Sequence, residues 1–330
     1  MSLLLLLAAC GDDTTTTDSA PVPATDSGTT ATLSDSGTAP PTDSGGTTPA
    51  TDSGSTAPTG PCAEPAVAVD DQTVELVVGP LTRQYRLTLP ATDAGTELAV
   101  IVAVHGADGR KAAYPQETEF DALGVEHGII TAYPLSELIP GNEGEWQLNT
   151  TDDRHHDIDF IAALLDDLES KHCVDTSRVY ATGFSLGSMF TYELACQLSD
   201  RFAAIGSAAG TMPVEPDDCT VTDPVAVMHL HGGNDRLIAY GNTWDWKNWD
   251  EVGTMWDVPG LVDHWRTTYS CGQGDVTLED YGQHENYWSC DGDVRVEHHR
   301  IDDLGHDWPR SIGGVSTPQL LWAFFSEFSR

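Results

Sequence analysis

The apolar positions fall into two periodicities along most of the chain. Leu98 to Val104 is apolar without interruption, which predicts a central strand buried on both faces. Val225 to Leu230 and Val179 to Thr182 read the same way. Residues 73–89 alternate apolar and polar with Gly79-Pro80 between them, which predicts an antiparallel hairpin. Gly128 to Pro134 reads as a strand ended by its proline, and Val294 to Ile301 as a last strand. Helical spacing occupies the intervals. Residues 117–126, 186–198 and 317–328 predict helices. So do residues 157–171, where Ile158, Ile161, Leu164, Leu165 and Leu168 share one face. Strands that alternate with helices, and central strands with no polar alternation, predict an α/β domain over residues 61–330. Its sheet should be mainly parallel, with helices on both faces.

The first sixty residues follow neither period. Residues 11–60 are almost wholly Thr, Ser, Asp, Gly, Pro and Ala, with no aromatic residue and no Lys, Arg or Glu. Such a segment buries too little apolar surface to offset the entropy of ordering it. Thr-Asp-Ser recurs at 17, 25, 42 and 51, with Ser-Asp-Ser at 34. This step is too short and too polar for a solenoid unit and predicts a flexible stalk. Before it, Leu3 to Ala9 is too short to span a bilayer and has the character of an export signal. Leu7-Ala8-Ala9-Cys10 resembles the bacterial lipobox, which makes Cys10 a lipidation candidate, although the usual basic residues ahead of the apolar run are missing. An ordinary secretory signal with a chance cysteine is the alternative. The expected location is therefore secreted or anchored at a bacterial cell surface, with membrane contact only through that lipid.

Charge narrows the partners. The chain of 330 residues has 52 acids against 15 Lys and Arg, a net charge of −37. This argues against nucleic acid and anionic membranes and favours neutral or apolar substrates. Besides Cys10 there are six cysteines, Cys62, Cys173, Cys196, Cys219, Cys271 and Cys290. An even number in an exported chain suggests disulfides, and six permit 15 pairings among which spacing does not choose. No C-x-x-C occurs, so no zinc pattern is present.

The candidate chemistry centres on Gly183-Phe184-Ser185-Leu186-Gly187. This is G-x-S-x-G between a predicted strand and a predicted helix, the context in which a sharp turn lifts a serine hydroxyl clear of the backbone. A serine needs a base to take its proton, and an imidazole base needs a carboxylate to hold its tautomer. Asp235 follows the strand at 225–230, and His306 follows the strand at 294–301. Both are at carboxyl ends of strands, where open α/β sheets build sites. The order Ser, Asp, His is that of the α/β-hydrolases. Oxyanion N–H groups are expected from Leu186 and from Ala107 in the glycine-bearing loop after 98–104. His105 is expected to be a structural, hydrogen-bonded residue. Asp302, Asp303 and Asp307 are too near His306 in sequence to be the third member, and His229 and His231 precede Asp235. His298 and His299 lie inside a strand. His155-His156-Asp157 has the composition of a metal site, but adjacent histidines usually point apart. No metal and no cofactor is expected. Five of nine tryptophans crowd into residues 240–269. They serve either packing or an aromatic or sugar-binding platform. Trp146, in a loop of about twenty residues, Trp249 and Trp308 are the substrate-contact candidates.

Four segments together resemble the secreted esterases related to polyhydroxybutyrate depolymerases and feruloyl esterases. They are His105-Gly106, Gly183 to Gly187, His231-Gly232-Gly233-Asn234-Asp235 and Gly305-His306-Asp307-Trp308-Pro309. Cys173 to Gly183 with Leu194-Ala195-Cys196 is similar to the feruloyl esterase branch. The resemblance covers about residues 60–330. It implies an α/β-hydrolase fold with Ser185 as nucleophile, Asp235 as orienting acid and His306 as base. It also implies the pairing Cys62–Cys173, Cys196–Cys219 and Cys271–Cys290. Leu186 and Ser188 occupy positions that are often small in the family, which should alter the pocket floor. The implied activity is a serine esterase acting on feruloyl or hydroxycinnamoyl esters of plant cell-wall polysaccharide, and a monomer is expected. The alternatives are a short-chain polyhydroxyalkanoate depolymerase, an acetyl xylan esterase, or a non-catalytic binding protein on a hydrolase scaffold.

Overall fold

The apolar runs line up as the centre of one ten-stranded sheet. The computed structural model describes residues 59–107, 113–136, 146–149, 156–216, 219–245 and 252–330. The export segment with Cys10, the stalk as far as residue 58, and Trp249 lie outside the described residues. The strands are β1 (Val69–Val78), β2 (Leu81–Leu89), β3 (Leu98–Val104), β4 (Ile129–Leu135), β5 (Val174–Phe184), β6 (Ala204–Ala208) and β7 (Ala226–Gly232). Two short strands, β8 (Trp244–Asp245) and β9 (Thr254–Met255), pair with each other, as do β13 (Ser311–Ile312) and β14 (Val315–Ser316). Between these pairs come β10 (Gln273–Glu279), β11 (Gly282–Trp288) and β12 (Val296–Ile301). The large sheet runs β1-β2-β4-β3-β5-β6-β7-β12-β11-β10. From β4 to β12 every neighbouring pair is parallel, and the pairs at each margin are antiparallel. This is the α/β-hydrolase fold.

The helices are α1 (Tyr114–Thr118), α2 (Phe120–His127), α3 (His156–Lys171), α4 (Leu186–Gln197), α5 (Val258–Thr268) and α6 (Thr317–Phe325). They cover both faces. On β6, a Cβ at Gly206 would meet Leu321 of α6 at 2.4 Å, whereas the next residue, Ser207, shares a hydrogen bond with Ser188 of α4. Successive strand residues point to opposite faces, so α4 and α6 sandwich the sheet. Gly206 leaves room for the Leu321 and Phe325 side chains of α6. Burial of both faces accounts for the unbroken apolar run of β3, all seven residues of which are buried. Beneath α3, the fully buried Arg83 is held by Asp157 at 2.7 Å and lies over the Phe160 ring. Asp157 is therefore committed to an ion pair rather than to a metal with its histidine neighbours, of which His155 lies outside the described residues.

Three expectations change. The helix at 117–126 starts earlier and is broken, because Glu119 adopts φ 58° between α1 and α2. Pro134 does not end its strand but pairs with Tyr85 inside β4. The segment 240–288 contains a helix, α5, whose buried Val258, Leu261, Val262 and Trp265 stand at helical spacing, and a hairpin, β10–β11, that the apolar pattern does not reveal. The reason is local: β10 is exposed along its whole length. Such a strand carries no buried face to mark it.

Disulfides join Cys62 to Cys173, Cys196 to Cys219 and Cys271 to Cys290. The first spans 111 residues and ties the start of the domain to the residue before β5. Loops of that length contribute roughly 4–5 kcal/mol in the chain-entropy account.

Candidate active site

The elbow is built by exclusion of side chains. Strand β5 ends at Phe184 and helix α4 begins at Leu186, leaving Ser185 alone to reverse the chain at φ 55°, ψ −119°. A β-carbon at Gly183 would lie 2.3 Å from the carbonyl oxygen of Gly187, and one at Gly187 would lie 2.3 Å from that of Val104. Only glycine lets the strand, the turn and the neighbouring β3 pack this closely. The strain at Ser185 is therefore held in place by backbone packing.

The other two predicted residues arrive from distant loops. Asp235 follows β7 and His306 follows β12, strands that are parallel neighbours. His306 Nδ1 lies 2.7 Å from Asp235 Oδ2, and its Nε2 lies 2.8 Å from Ser185 Oγ. An ionised carboxylate only accepts, so Nδ1 carries the proton and Nε2 is left to accept from the serine hydroxyl. The Phe184 ring lies 5.2 Å from the imidazole and limits its tilt.

Asp235 is fully supplied with donors. Its Oδ1 accepts from the N–H groups of Leu237 and Ile238, at 2.8 and 2.9 Å. Burial opposes its ionisation, but hydrogen bonds from His231 and His306 outweigh this and hold its pKa well below the usual carboxylate range. The His231 contact ends a buried chain that was not expected from the sequence. Tyr192 Oη lies 2.8 Å from His229 Nδ1, His229 Nε2 3.0 Å from His231 Nδ1, and His231 Nε2 2.9 Å from the Ile238 carbonyl and 3.4 Å from Asp235 Oδ2. Because the last acceptors are oxygens, each tautomer is determined in turn, and every proton points from Tyr192 toward Asp235. Burial also pushes the His229 pKa well down, which keeps that imidazole neutral. Helix α4, which begins at the serine, is thus wired to the acid. The available signal was His-x-His in an otherwise apolar strand, since period two places both imidazoles on one face.

The loop after β3 lies against the serine, because a β-carbon at Gly106 would sit 3.2 Å from Ser185 Cβ. His105 shapes this loop. Its Nε2 accepts from the Ser136 N–H at 3.1 Å, so its Nδ1 carries the proton and donates to the Gly106 carbonyl at 2.6 Å. In a trans peptide the C=O and the following N–H point in opposite directions. The histidine that holds the Gly106 carbonyl therefore also aims the Ala107 N–H. Leu186 is the first residue of α4, so its N–H has no intrahelical acceptor and lies at the positive end of the helix.

The tryptophan expectations need correction. Trp146 is 0 % exposed, stacks on Phe190 at 5.0 Å and donates to the His105 carbonyl, so it has no face for a ligand. Trp308 is buried edge-on among Tyr114, Phe120 and Phe184. Both brace the site from behind. Trp265 is likewise core, stacked on Tyr192. Trp256 is half-buried and lines a cavity of about 300 Å³ along α5 with Asp263, His264 and Thr267, apart from the three residues above. Ser188, at a position often small in the resembled family, is buried against Ser207.

Comparison with known proteins finds relatives among esterases. No protein-family model matches the chain. It is 37% identical over 251 residues to a probable feruloyl esterase C of Aspergillus niger, covering 74% of this chain and 83% of the relative. It is 25% identical over 239 residues to a bifunctional acetylxylan esterase/xylanase of Neocallimastix patriciarum, covering 70% of this chain and 31% of that protein. For several further curated relatives the chain spans about half of their length. Among solved structures, the acetyl xylan esterase from Aspergillus awamori superposes with a TM-score of 0.53 at 15% identity, over 78% of this chain and 99% of that one.

Proposed function

The chain belongs to the feruloyl esterase C family of α/β-hydrolases, and from that premise we propose that it is a serine-dependent carboxylic ester hydrolase. The observation that carries this reading is the His306 imidazole, bridging Asp235 and Ser185 at 2.7 and 2.8 Å. Ser185 Oγ attacks the ester carbonyl carbon while His306 Nε2 takes its proton, and Asp235 stabilises the imidazolium that forms. The oxyanion is received by the N–H groups of Leu186 and Ala107. As the tetrahedral intermediate collapses, His306 returns the proton to the leaving alcohol. Water then repeats the sequence on the acyl-enzyme and releases the acid.

The favoured substrates are feruloyl or related hydroxycinnamoyl esters of plant cell-wall polysaccharide, supported by the name of the 37% identical relative. The acetyl xylan reading draws on the Neocallimastix relative, and polyhydroxyalkanoate depolymerisation is a third reading within the same chemistry. Ser185→Ala should lower kcat by about 10⁴–10⁶-fold on every ester, and parent-like turnover would remove the serine from the mechanism. Methyl ferulate, acetylated xylan and 3-hydroxybutyrate oligomers compared side by side then rank the substrates, with the highest kcat/KM expected on methyl ferulate. Three disulfides support an oxidising compartment. We infer that Cys10 anchors the enzyme by a lipid and that the polar stalk spaces it from the membrane. Replacing Cys10 by Ser should move the enzyme from the membrane fraction to the medium.

A further inference from the structure

A second cluster of chemistry-bearing side chains lies on the C-terminal hairpin, in residues that the ester-cleaving mechanism does not use. His284 of β11 is the direct cross-strand partner of His299 of β12, and Glu297 precedes His299 by two on the same face. His284 Nε2 and His299 Nε2 lie 2.9 and 3.0 Å from the same oxygen, Glu297 Oε1, and all three donor atoms fall within 4.8 Å of one another. We propose that His284, Glu297 and His299 form a binding site for a divalent transition metal of the zinc class, which pins β11 to β12.

The donor set suits such an ion. Two imidazoles and one carboxylate are ligands for zinc and its neighbours, whereas calcium and magnesium require oxygens throughout. Ligands at 2.0–2.1 Å from a tetrahedral ion stand roughly 3.3 Å apart. The observed separations from Glu297 Oε1 need to open by only a few tenths of an ångström. The two rings are stacked at 4.3 Å and 5°. A tilt about their side-chain torsions brings both Nε2 lone pairs onto one ion. Each ring then carries its proton on Nδ1 instead of Nε2.

The surroundings are prepared for that change. Tyr281 Oη lies 2.7 Å from His299 Nδ1 and can accept the relocated proton, as an outer partner of a metal-bound histidine does. Arg295 holds the other oxygen of Glu297, Oε2, at 3.1 Å, leaving Oε1 for the ion. Asp275 and Glu279 on β10 add to the negative field at His284. A separate observation points to a ligand. Asn286 is the register partner of Glu297 and shares its face. Its amide oxygen is buried with no hydrogen-bond partner among the described residues. A water in the fourth position of the ion would supply the missing donor.

The test uses the full chain, stripped with chelator and dialysed. Titration with ZnCl₂ in a calorimeter should give one ion bound per chain and raise Tm by on the order of 5 °C at saturating metal. Co²⁺ should develop the intensified visible absorption of a low-coordinate nitrogen and oxygen site. His284→Ala, at the most exposed of the three ligands, should abolish both responses while leaving ester hydrolysis unchanged. Tyr281→Phe should weaken binding by about 10- to 100-fold. Excess Mg²⁺ or Ca²⁺ should not compete. Absence of saturable binding to the parent chain overturns the proposal. So does equal binding by the parent and His284→Ala, which would locate the metal on the general acidic surface. If His284→Ala is unstable, Glu297→Gln replaces it with the same expected loss, and retained binding in that variant overturns the proposal equally.

Discussion

The centre of the sheet and its C-terminal margin do different work in the same site. Strands β3 and β6 are buried along their whole length, and with the end of β5 they set Ser185 through backbone contacts. Strands β10 to β12 are polar, and β10 is exposed throughout. His306 follows β12 on a loop, and the carboxylate that holds it, Asp235, is backed by side-chain hydrogen bonds running from α4 through His229 and His231 of β7. Ser185 is thus positioned by close packing of glycines. His306 is positioned by polar partners that can be exchanged or titrated. The centre should therefore answer to changes of volume, and the margin to changes of charge and protonation.

The largest expected effect tests the polar half. Asp235→Asn should keep the fold but favour the wrong imidazole tautomer, lowering kcat by about 10⁴-fold. A loss under tenfold would mean that another acceptor can replace the carboxylate. The next tests the packed half. Gly187→Ala places a carbon 2.3 Å from the Val104 carbonyl, and should cost about 1–3 kcal/mol in denaturant unfolding. It should also lower activity, because β3 and α4 must move apart beneath Ser185. Unchanged stability would show that the elbow is looser than its contacts imply.

The smallest effect concerns pH. His298 on β12 is wholly buried, and that burial lowers its pKa from 6.5 to about 3, with His231, His299 and Arg300 adding to the shift against a bond to the His229 carbonyl. Between these values the unfolded chain binds a proton that the folded chain refuses. Stability should accordingly fall as pH drops from 6.5 toward 3. In His298→Gln the Tm should decline less steeply over that interval, and an identical slope would assign the acid sensitivity to other groups.

The same contrast explains what can be read from sequence. The unbroken run of β3, the helical face of α3 and the G-x-S-x-G turn are consequences of burial and local sterics, and both leave periodic marks. The order of Ser185, Asp235 and His306 is legible because each follows a recognisable strand. The hairpin β10–β11 leaves no mark, since a strand exposed along its length has no period to impose. The expectation of ligand contact fails at Trp146 and Trp308 for a different reason. Residue type announces an aromatic surface, but only packing decides whether any of that surface remains free.

By itself, then, the sequence determined the class of fold, the elbow and the three residues, Ser185, Asp235 and His306, that the structure brings within hydrogen-bonding distance. These depend on local geometry and on the hydrophobic period. The tertiary structure decided which imidazoles face which carboxylates. His306 reaches Asp235, while His229 and His231 back it and His284 and His299 share Glu297. Those choices depend on cross-strand register and on the direction of each buried proton, which link residues far apart in the chain.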